Sequence, residues 1–251
     1  MVAAGPGWRR IGPDPAIAAW AEAARPVAEA AIAASDEPWR CGGTWFVGVD
    51  ALPNGPDGAI AGAAFPWGVL GLSPEPLHRA QLSTVRAGYP RPSGAESEAA
   101  FRFRRDRDAA HLDGLLAEGT EKRRFLREPH GWILGIALNG CDPGAAPLVV
   151  WEGSHRIMLA AFRAAMAGTE DPGAVDVTVV YQAARRRVFD ECPRRALPGR
   201  VGEAVLLHRA LIHGVAPWSE GATAPETGRI VAYFRPLLPS VTDWLAEARD
   251  G

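Results

Sequence analysis

His111 and Asp113 stand two residues apart in the run HLDG, and a second run, GEAVLLHRALIHG, closes about a hundred positions later on His213 and Gly214. In an extended segment side chains alternate between faces, so His111 and Asp113 point the same way and reach one ion together, while Leu112 points back into a core. One more imidazole from a distant strand completes a triangular face of an octahedron and leaves three positions free. A carboxylate beside two imidazoles suits Fe(II) better than Ca or Mg. Two histidines compete for the third place. His208 and His213 are separated by an odd interval, so a straight strand puts them on opposite faces and one ion does not take both. The His-Gly pair favours His213, which leaves His208 as a buried, hydrogen-bonded histidine.

Other chemistries are poorly served. Lys122 is the only lysine and lies in the polar run EKRR. That leaves no P-loop lysine and no residue suited to a pyridoxal Schiff base. A net charge of −2 gives no reason to expect a nucleic acid or an anionic membrane as partner. The expected partner is a small-molecule substrate, and nothing in the sequence speaks to oligomeric state. Arginines do cluster, at Arg102 to Arg107 and Arg185 to Arg187, and solvated faces are the default reading of both runs. Cys41, Cys141 and Cys192 are scattered and odd in number, which fits a reducing compartment. The N-terminal stretch has no apolar h-region, and no apolar run approaches the ~20 residues that span a bilayer, so a cytoplasmic protein is expected.

The elements that must position these residues are many short strands with helices massed at the N-terminus and inserted later. Asp14 before Pro15 marks a helix start, and the Ala-rich stretch from Ile17 to about Ala34 reads as helix, bent or broken near Pro26. Thr44 to Leu52 and Ala80 to Tyr89 read as strands. Phe101 to Arg107, FRFRRDR, alternates aromatic with arginine as a strand would, with Arg102 and Arg104 sharing a face for an anion or for surface ion pairs. The charged excursion after HLDG is expected to carry a short helix from Thr120 to Glu128 and to act as a lid or a solvated loop. GWILGIALNG and PLVVWEGSH read as strands, His155 to Gly168 and Asp176 to about Phe189 as helices, and GEAVLLHRALIHG as a strand pair or bent strand. Arg229 to Pro236 is the last strand, and VTDWLAEARDG is a terminal helix or tail capped by Thr242 or Asp243. The expected fold class is mainly β with flanking helices, one domain over 1–251 with a helical decoration at about 14–34 and a jelly-roll core at about 80–236.

Four elements in order carry a family likeness: HLD at His111 to Asp113, PLVVWEGSHR at Pro147 to Arg156, GEAVLLHRALIHG ending on His213 and Gly214, and an arginine opening the following strand. Over roughly Gln81 to Arg235 the chain resembles the phytanoyl-CoA dioxygenase-like branch of the Fe(II)/2-oxoglutarate oxygenases. The resemblance implies a double-stranded β-helix, a cupin-like jelly roll, with His111, Asp113 and His213 as the catalytic iron ligands. It implies Arg229 as the cofactor-binding arginine on the distal carboxylate of 2-oxoglutarate, a role its planar fork suits. The cofactors implied are Fe(II), 2-oxoglutarate as co-substrate and O2. The reaction implied is hydroxylation of an unidentified small molecule with release of succinate and CO2, and Asp113 fills the place that related halogenases leave to halide. Arg86 and Thr84 are candidates for a second 2-oxoglutarate anchor. His155 is expected to support the site or cap a helix, His78 and His130 to be structural or exposed, and Trp132 and Trp151 to be core aromatics. A cupin-like metal- or sugar-binding jelly roll without 2-oxoglutarate chemistry is the alternative, and a zinc hydrolase would want a richer His cluster around HLD.

Overall fold

A computed structural model describes residues 5–94 and 96–246. Eleven strands are described: β1 Trp8–Ile11, β2 Trp45–Leu52, β3 Ala80–Val85, β4 Leu115–Glu118, β5 Arg123–Leu126, β6 Trp132–Ala137, β7 Leu148–Trp151, β8 Arg194–Leu197, β9 Ala204–His208, β10 His213–Val215 and β11 Arg229–Phe234. The helices are α1 Pro15–Ala33, α2 Trp67–Leu70, α3 Glu98–Asp106, α4 Ser154–Met166, α5 Thr178–Glu191 and α6 Val241–Leu245. A six-stranded sheet runs β1-β9-β6-β11-β3-β2, a three-stranded sheet runs β10-β7-β8, and β4 and β5 form a hairpin. The pairings between these strands are antiparallel. From β6 onward the chain passes between the two sheets, β6 in the large one, β7 and β8 in the small, β9 large, β10 small, β11 large. This is the mainly β jelly roll, a double-stranded β-helix with flanking helices.

The strand sequences explain why both faces of the large sheet are buried. Along β9, Ala204 and Leu206 join the core beneath α1, whereas Val205 and Leu207 join the layer between the sheets. On β11, Ile230, Ala232 and Phe234 lie on the α1 side. Their neighbours Arg229, Val231 and Tyr233 therefore face the inter-sheet layer. A strand buried on both faces reads as a continuous apolar run, as VLL and IVAYF do here. Gly135 is paired opposite Tyr233, and a Cβ at Gly135 would meet the Tyr233 ring, so the missing side chain makes room for that phenol. A third core lies between the small sheet and α4 and α5, where Val149 and Trp151 meet Met158, Phe162, Tyr181 and Val188.

Several elements differ from the sequence expectation. FRFRRDR belongs to helix α3, because Ser97 caps it by accepting from the Ala100 amide at 3.2 Å, and Glu98 reaches Arg102 one turn on. A good cap and an i,i+4 ion pair outweigh a period-two pattern this short. The segment expected as a helix from Thr120 to Glu128 is instead the second half of the β4–β5 hairpin, turned through Gly119 and Lys122 at positive φ. α1 runs unbroken through Pro26, which sits on its exposed side, where the carbonyl that loses its N–H partner is open to water. Ser240, rather than Thr242 or Asp243, caps α6 by accepting from the Asp243 amide. Residues 247–251 of the expected terminal helix lie outside the described residues. Among the described residues no helix is long and apolar enough to cross a membrane.

Candidate metal centre

The two segments singled out by the sequence meet at one end of the inter-sheet layer. His111 and His213 form a mutual antiparallel bridge, the His111 amide donating to the His213 carbonyl at 2.8 Å and the His213 amide returning to His111 at 3.1 Å. Gly214 makes the approach feasible, since a Cβ there would overlap the Asp108 carbonyl. The Val215 amide donates to that same carbonyl at 2.8 Å. Asp108 is itself fixed by a two-point ion pair with Arg194, at 2.7 and 2.8 Å. Leu112 points into the core under α4 and α5, as its place between His111 and Asp113 requires. Gly114 follows at φ +83, where a side chain would strike the Glu128 carbonyl.

The side chains converge as the spacing predicts. His111 Nε2 lies 3.2 Å and His213 Nε2 3.7 Å from the same oxygen, Asp113 Oδ1. One ligand atom from each residue falls within 4.8 Å of the others. The other imidazole nitrogens are held from behind: His111 Nδ1 is 2.9 Å from the Ala109 carbonyl and His213 Nδ1 3.0 Å from the Leu211 carbonyl. A carbonyl only accepts, so both Nδ1 atoms carry a proton and both Nε2 atoms face the common point, where a metal ion would replace any proton on them. Backbone carbonyls behind ligand imidazoles are the usual way such rings are oriented for a metal. The His213 and Asp113 side chains are enclosed, at 8% and 12% exposure, while His111 keeps 45% and marks the open side.

The electrostatics fit a cation at that point. Burial pushes the His213 imidazole down to about 4, against the opposing pull of Asp113, so it is a neutral ligand at ordinary pH. His111 is also pressed down by burial, yet its hydrogen bond and charge contact with Asp113 lift it above the usual histidine range. Burial would raise the Asp113 carboxyl, but His213, His111 and Arg235 hold it well below the usual carboxylate range. An ionised carboxylate among buried groups, with one oxygen aimed between two imidazole Nε2 atoms, is a donor set that could hold a divalent ion, the ion displacing the proton that His111 shares with Asp113.

Two arginines of β11 and its continuation serve this centre differently. Arg235 donates from Nη1 to Asp113 Oδ2 at 3.2 Å and from Nη2 to Gln81 at 2.7 Å. Its own carbonyl accepts from His78 Nε2 and His130 Nδ1, at 3.0 and 3.1 Å. Arg229, 5% exposed, shares the inner face of the strand with Tyr233, whose hydroxyl it engages, yet its Nε and Nη2 have no hydrogen-bond partner among the described residues. A cavity between the sheets is walled by His111, Asp113, His213, Tyr233 and Arg235. Arg229 is not on its wall; Tyr233 stands between. Burial raises the Tyr233 phenol, with Arg229 lowering it and Asp113 raising it further. Tyr233 therefore feels both the guanidinium and the carboxylate.

Other sequence candidates fall elsewhere. Thr84 is paired opposite Ile230 and Phe46, on the α1 side of the sheet, and the Arg86 guanidinium stacks 3.7 Å over Trp39. Neither reaches the inter-sheet cavity. His208 is buried away from the centre, its Nδ1 accepting from the Ala210 amide at 3.0 Å, and His155 in the first turn of α4 stacks on it with ring centroids 4.8 Å apart. Tyr233 and Arg235 line the inter-sheet cavity as well, though the sequence did not single them out. The period of two from Arg229 along RIVAYFR puts both on its face and could have found them.

No family model matches the chain, and no curated protein matches it. Among solved structures, it is similar to the non-heme alpha-ketoglutarate-dependent carbocyclase SnoK from nogalamycin biosynthesis, at 16% identity over 96% of this chain and 86% of that one, with a TM-score of 0.46. It is similar to the epimerase SnoN from the same biosynthesis at 12% identity over 99% and 88%, TM-score 0.47. EctD from S. alaskensis, solved with bound Fe, matches at 14% identity over 91% and 71%, TM-score 0.45.

Proposed function

We propose that the protein is a non-haem Fe(II)- and 2-oxoglutarate-dependent dioxygenase that hydroxylates a small molecule. The observation that carries this reading is the convergence of His111 Nε2, His213 Nε2 and Asp113 Oδ1 within 4.8 Å of one another, one edge open. These three would hold Fe(II) on one triangular face. Arg235, by taking up Asp113 Oδ2, leaves Oδ1 alone for the ion. Arg229 lies behind Tyr233 and would take the distal carboxylate of 2-oxoglutarate once that ring turns aside: a buried guanidinium with two nitrogens lacking partners among the described residues is costly unless an anion completes it. Tyr233, beside it, can donate its hydroxyl proton to the same carboxylate. Ile133 and Leu148 line the cavity and keep water from the reacting face. When bound, the iron, 2-oxoglutarate and O2 together supply the oxidation of C–H to C–OH, with succinate and CO2 as co-products. Asp113 occupies the carboxylate position, which favours hydroxylation over halogenation.

The test is an anaerobic titration of the metal-free protein with Fe(II) and then 2-oxoglutarate, following the weak visible charge-transfer band of the chelate. The band is expected in the wild type and lost in Arg229→Ala. Folded wild-type protein that gives no band would instead be a metal- or ligand-binding jelly roll.

A further inference from the structure

Beyond the ligand set lies a larger cavity of about 410 Å³ that shares His111, Asp113 and Arg235 with the inner one. α3, the β4–β5 hairpin and α5 close around it. Four guanidinium groups reach its wall: Arg104, Arg124, Arg185 and Arg235. Two are taken up by carboxylates. Arg104 holds Glu96 at 2.6 Å and Arg235 holds Asp113. The other two have no carboxylate partner among the described residues. Arg185 lies 4.6 Å over Phe103 and 5.1 Å over Tyr181, its Nη1 no closer than 3.5 Å to the Ala110 carbonyl and the Tyr181 hydroxyl. Arg124 lies 5.6 Å over the same Tyr181 ring.

This arrangement is built. Tyr181 and Arg185 are one turn apart on α5 and so share a face. Arg124 is brought opposite by the hairpin, whose Arg124 amide donates to Thr178 Oγ at 2.7 Å. Aromatic platforms fix both planar groups, with the N–H groups of Arg124 and the Nε and Nη2 of Arg185 left without a partner among the described residues and Arg185 Nη1 held only by two long contacts, the condition in which arginine binds an oxyanion in two-point contact. Of the carboxylates on the same wall, Asp113 is engaged by Arg235, and Glu128 faces His130 at 3.4 Å. Positive charge is in excess there, so a cationic substrate would be repelled.

We propose that the substrate of this site is a small organic acid whose carboxylate or phosphate is clamped by Arg124 and Arg185, its body lying against Tyr181 and Phe103 towards His111. As a statement about substrate this rests on the oxygenase reading, but the anion clamp itself does not need the iron. Arg185 adjoins the carbonyl of Ala110, the residue before His111, so the clamp fixes one end of the molecule while its carbon skeleton reaches the open edge of the centre.

The test uses metal-free full-length protein titrated calorimetrically with benzoate, phenyl phosphate and the neutral isostere benzamide. At least one acid is expected to bind ten-fold or more tightly than benzamide. Arg185→Gln and Arg124→Gln should each lower that affinity about ten-fold, as expected on losing a charge-assisted contact, and exposed Arg186→Gln should leave it unchanged. Benzoate and phenyl phosphate separate a carboxylate from a phosphate preference. Acids that bind no better than benzamide, or an affinity indifferent to Arg124 and Arg185, would overturn the clamp. The chelate band of the wild type reports on the oxygenase reading independently: anion binding without the band sinks that reading and spares the clamp, and the band without anion binding does the reverse.

Discussion

Arg235 donates to the one oxygen of Asp113 that faces away from His111 and His213. Its position is over-determined, with Gln81 on the other nitrogen and two histidines on its carbonyl. Removing the guanidinium frees the carboxylate to rotate and leaves Oδ2 buried without a donor. Groups that orient a ligand typically contribute about 10–100-fold in metal affinity. Arg235→Gln is therefore expected to weaken Co(II) binding by that order, followed by the visible absorption of the ion, with Arg235→Lys recovering part of it. An affinity equal to wild type in Arg235→Gln would show that Asp113 needs no such support.

Arg229 makes the opposite prediction, because its guanidinium is buried without a full set of partners. Replacing a buried ion pair by apolar side chains of similar volume often stabilises a protein by about 1–4 kcal/mol, and a buried guanidinium without a carboxylate partner has less attraction to lose. Arg229→Met should raise the melting temperature of the protein without ligands, and 2-oxoglutarate with Mn(II), which should stabilise the wild type, should no longer shift it. A lower melting temperature in Arg229→Met would mean that the guanidinium already has what it needs.

Much of this centre was legible beforehand because its grammar is local. Period two carries His111 and Asp113 to one face and Leu112 to the other, but His208 and His213 are parted by a turn that moves the chain from β9 in one sheet to β10 in the other, not by alternation along one straight strand. The inner strands of the two sheets follow from short apolar runs cut by Gly and Pro, whereas the edge strands β1, WRRI, and β8, RRAL, carry no such run and are fixed by their pairing. What escaped detection depends on partners distant in sequence. FRFRRDR contains two periods, and only the Ser97 cap and Glu98 decide between them. Arg185 looks like Arg186 and Arg187 in a charge run, yet only Arg185 turns over Phe103 and Tyr181, a fact set by how α5 packs. Thr84 sits one residue from Ser83 and Val85, and that single step puts it on the α1 side of the sheet.

Gly214 tests whether the bridge between the ligand segments must be this close. A methyl group there would overlap the backbone carbonyl of Asp108, which has no flexible end to swing away. Overpacking against backbone costs about 1–3 kcal/mol or more. Gly214→Ala is expected to lower the unfolding midpoint accordingly and to weaken Co(II) binding, because relief requires His213 and His111 to part. Wild-type values of both would mean that the two segments shift together at no cost.

His208 should contribute to the acid sensitivity of the protein independently of any metal, alongside the likewise depressed His213. Burial, with the neighbouring His155, Arg209 and Arg163 adding to it, pushes its imidazole down to about 3. Its Nδ1 accepts from the Ala210 amide, so the folded protein holds the ring neutral. An unfolded chain takes up this proton near the ordinary histidine value of about 6.5. Between these two values the unfolded state binds more protons, so stability falls as pH falls, beginning near 6.5 and continuing towards 3. At about 1.4 kcal/mol for each unit of depression, the full loss is several kcal/mol. His208→Asn places an amide oxygen where Nδ1 accepts and removes the titration. Its unfolding free energy, measured by urea denaturation at several pH values, should be flatter than wild type between pH 7 and pH 4. An unchanged pH slope would place the acid sensitivity elsewhere.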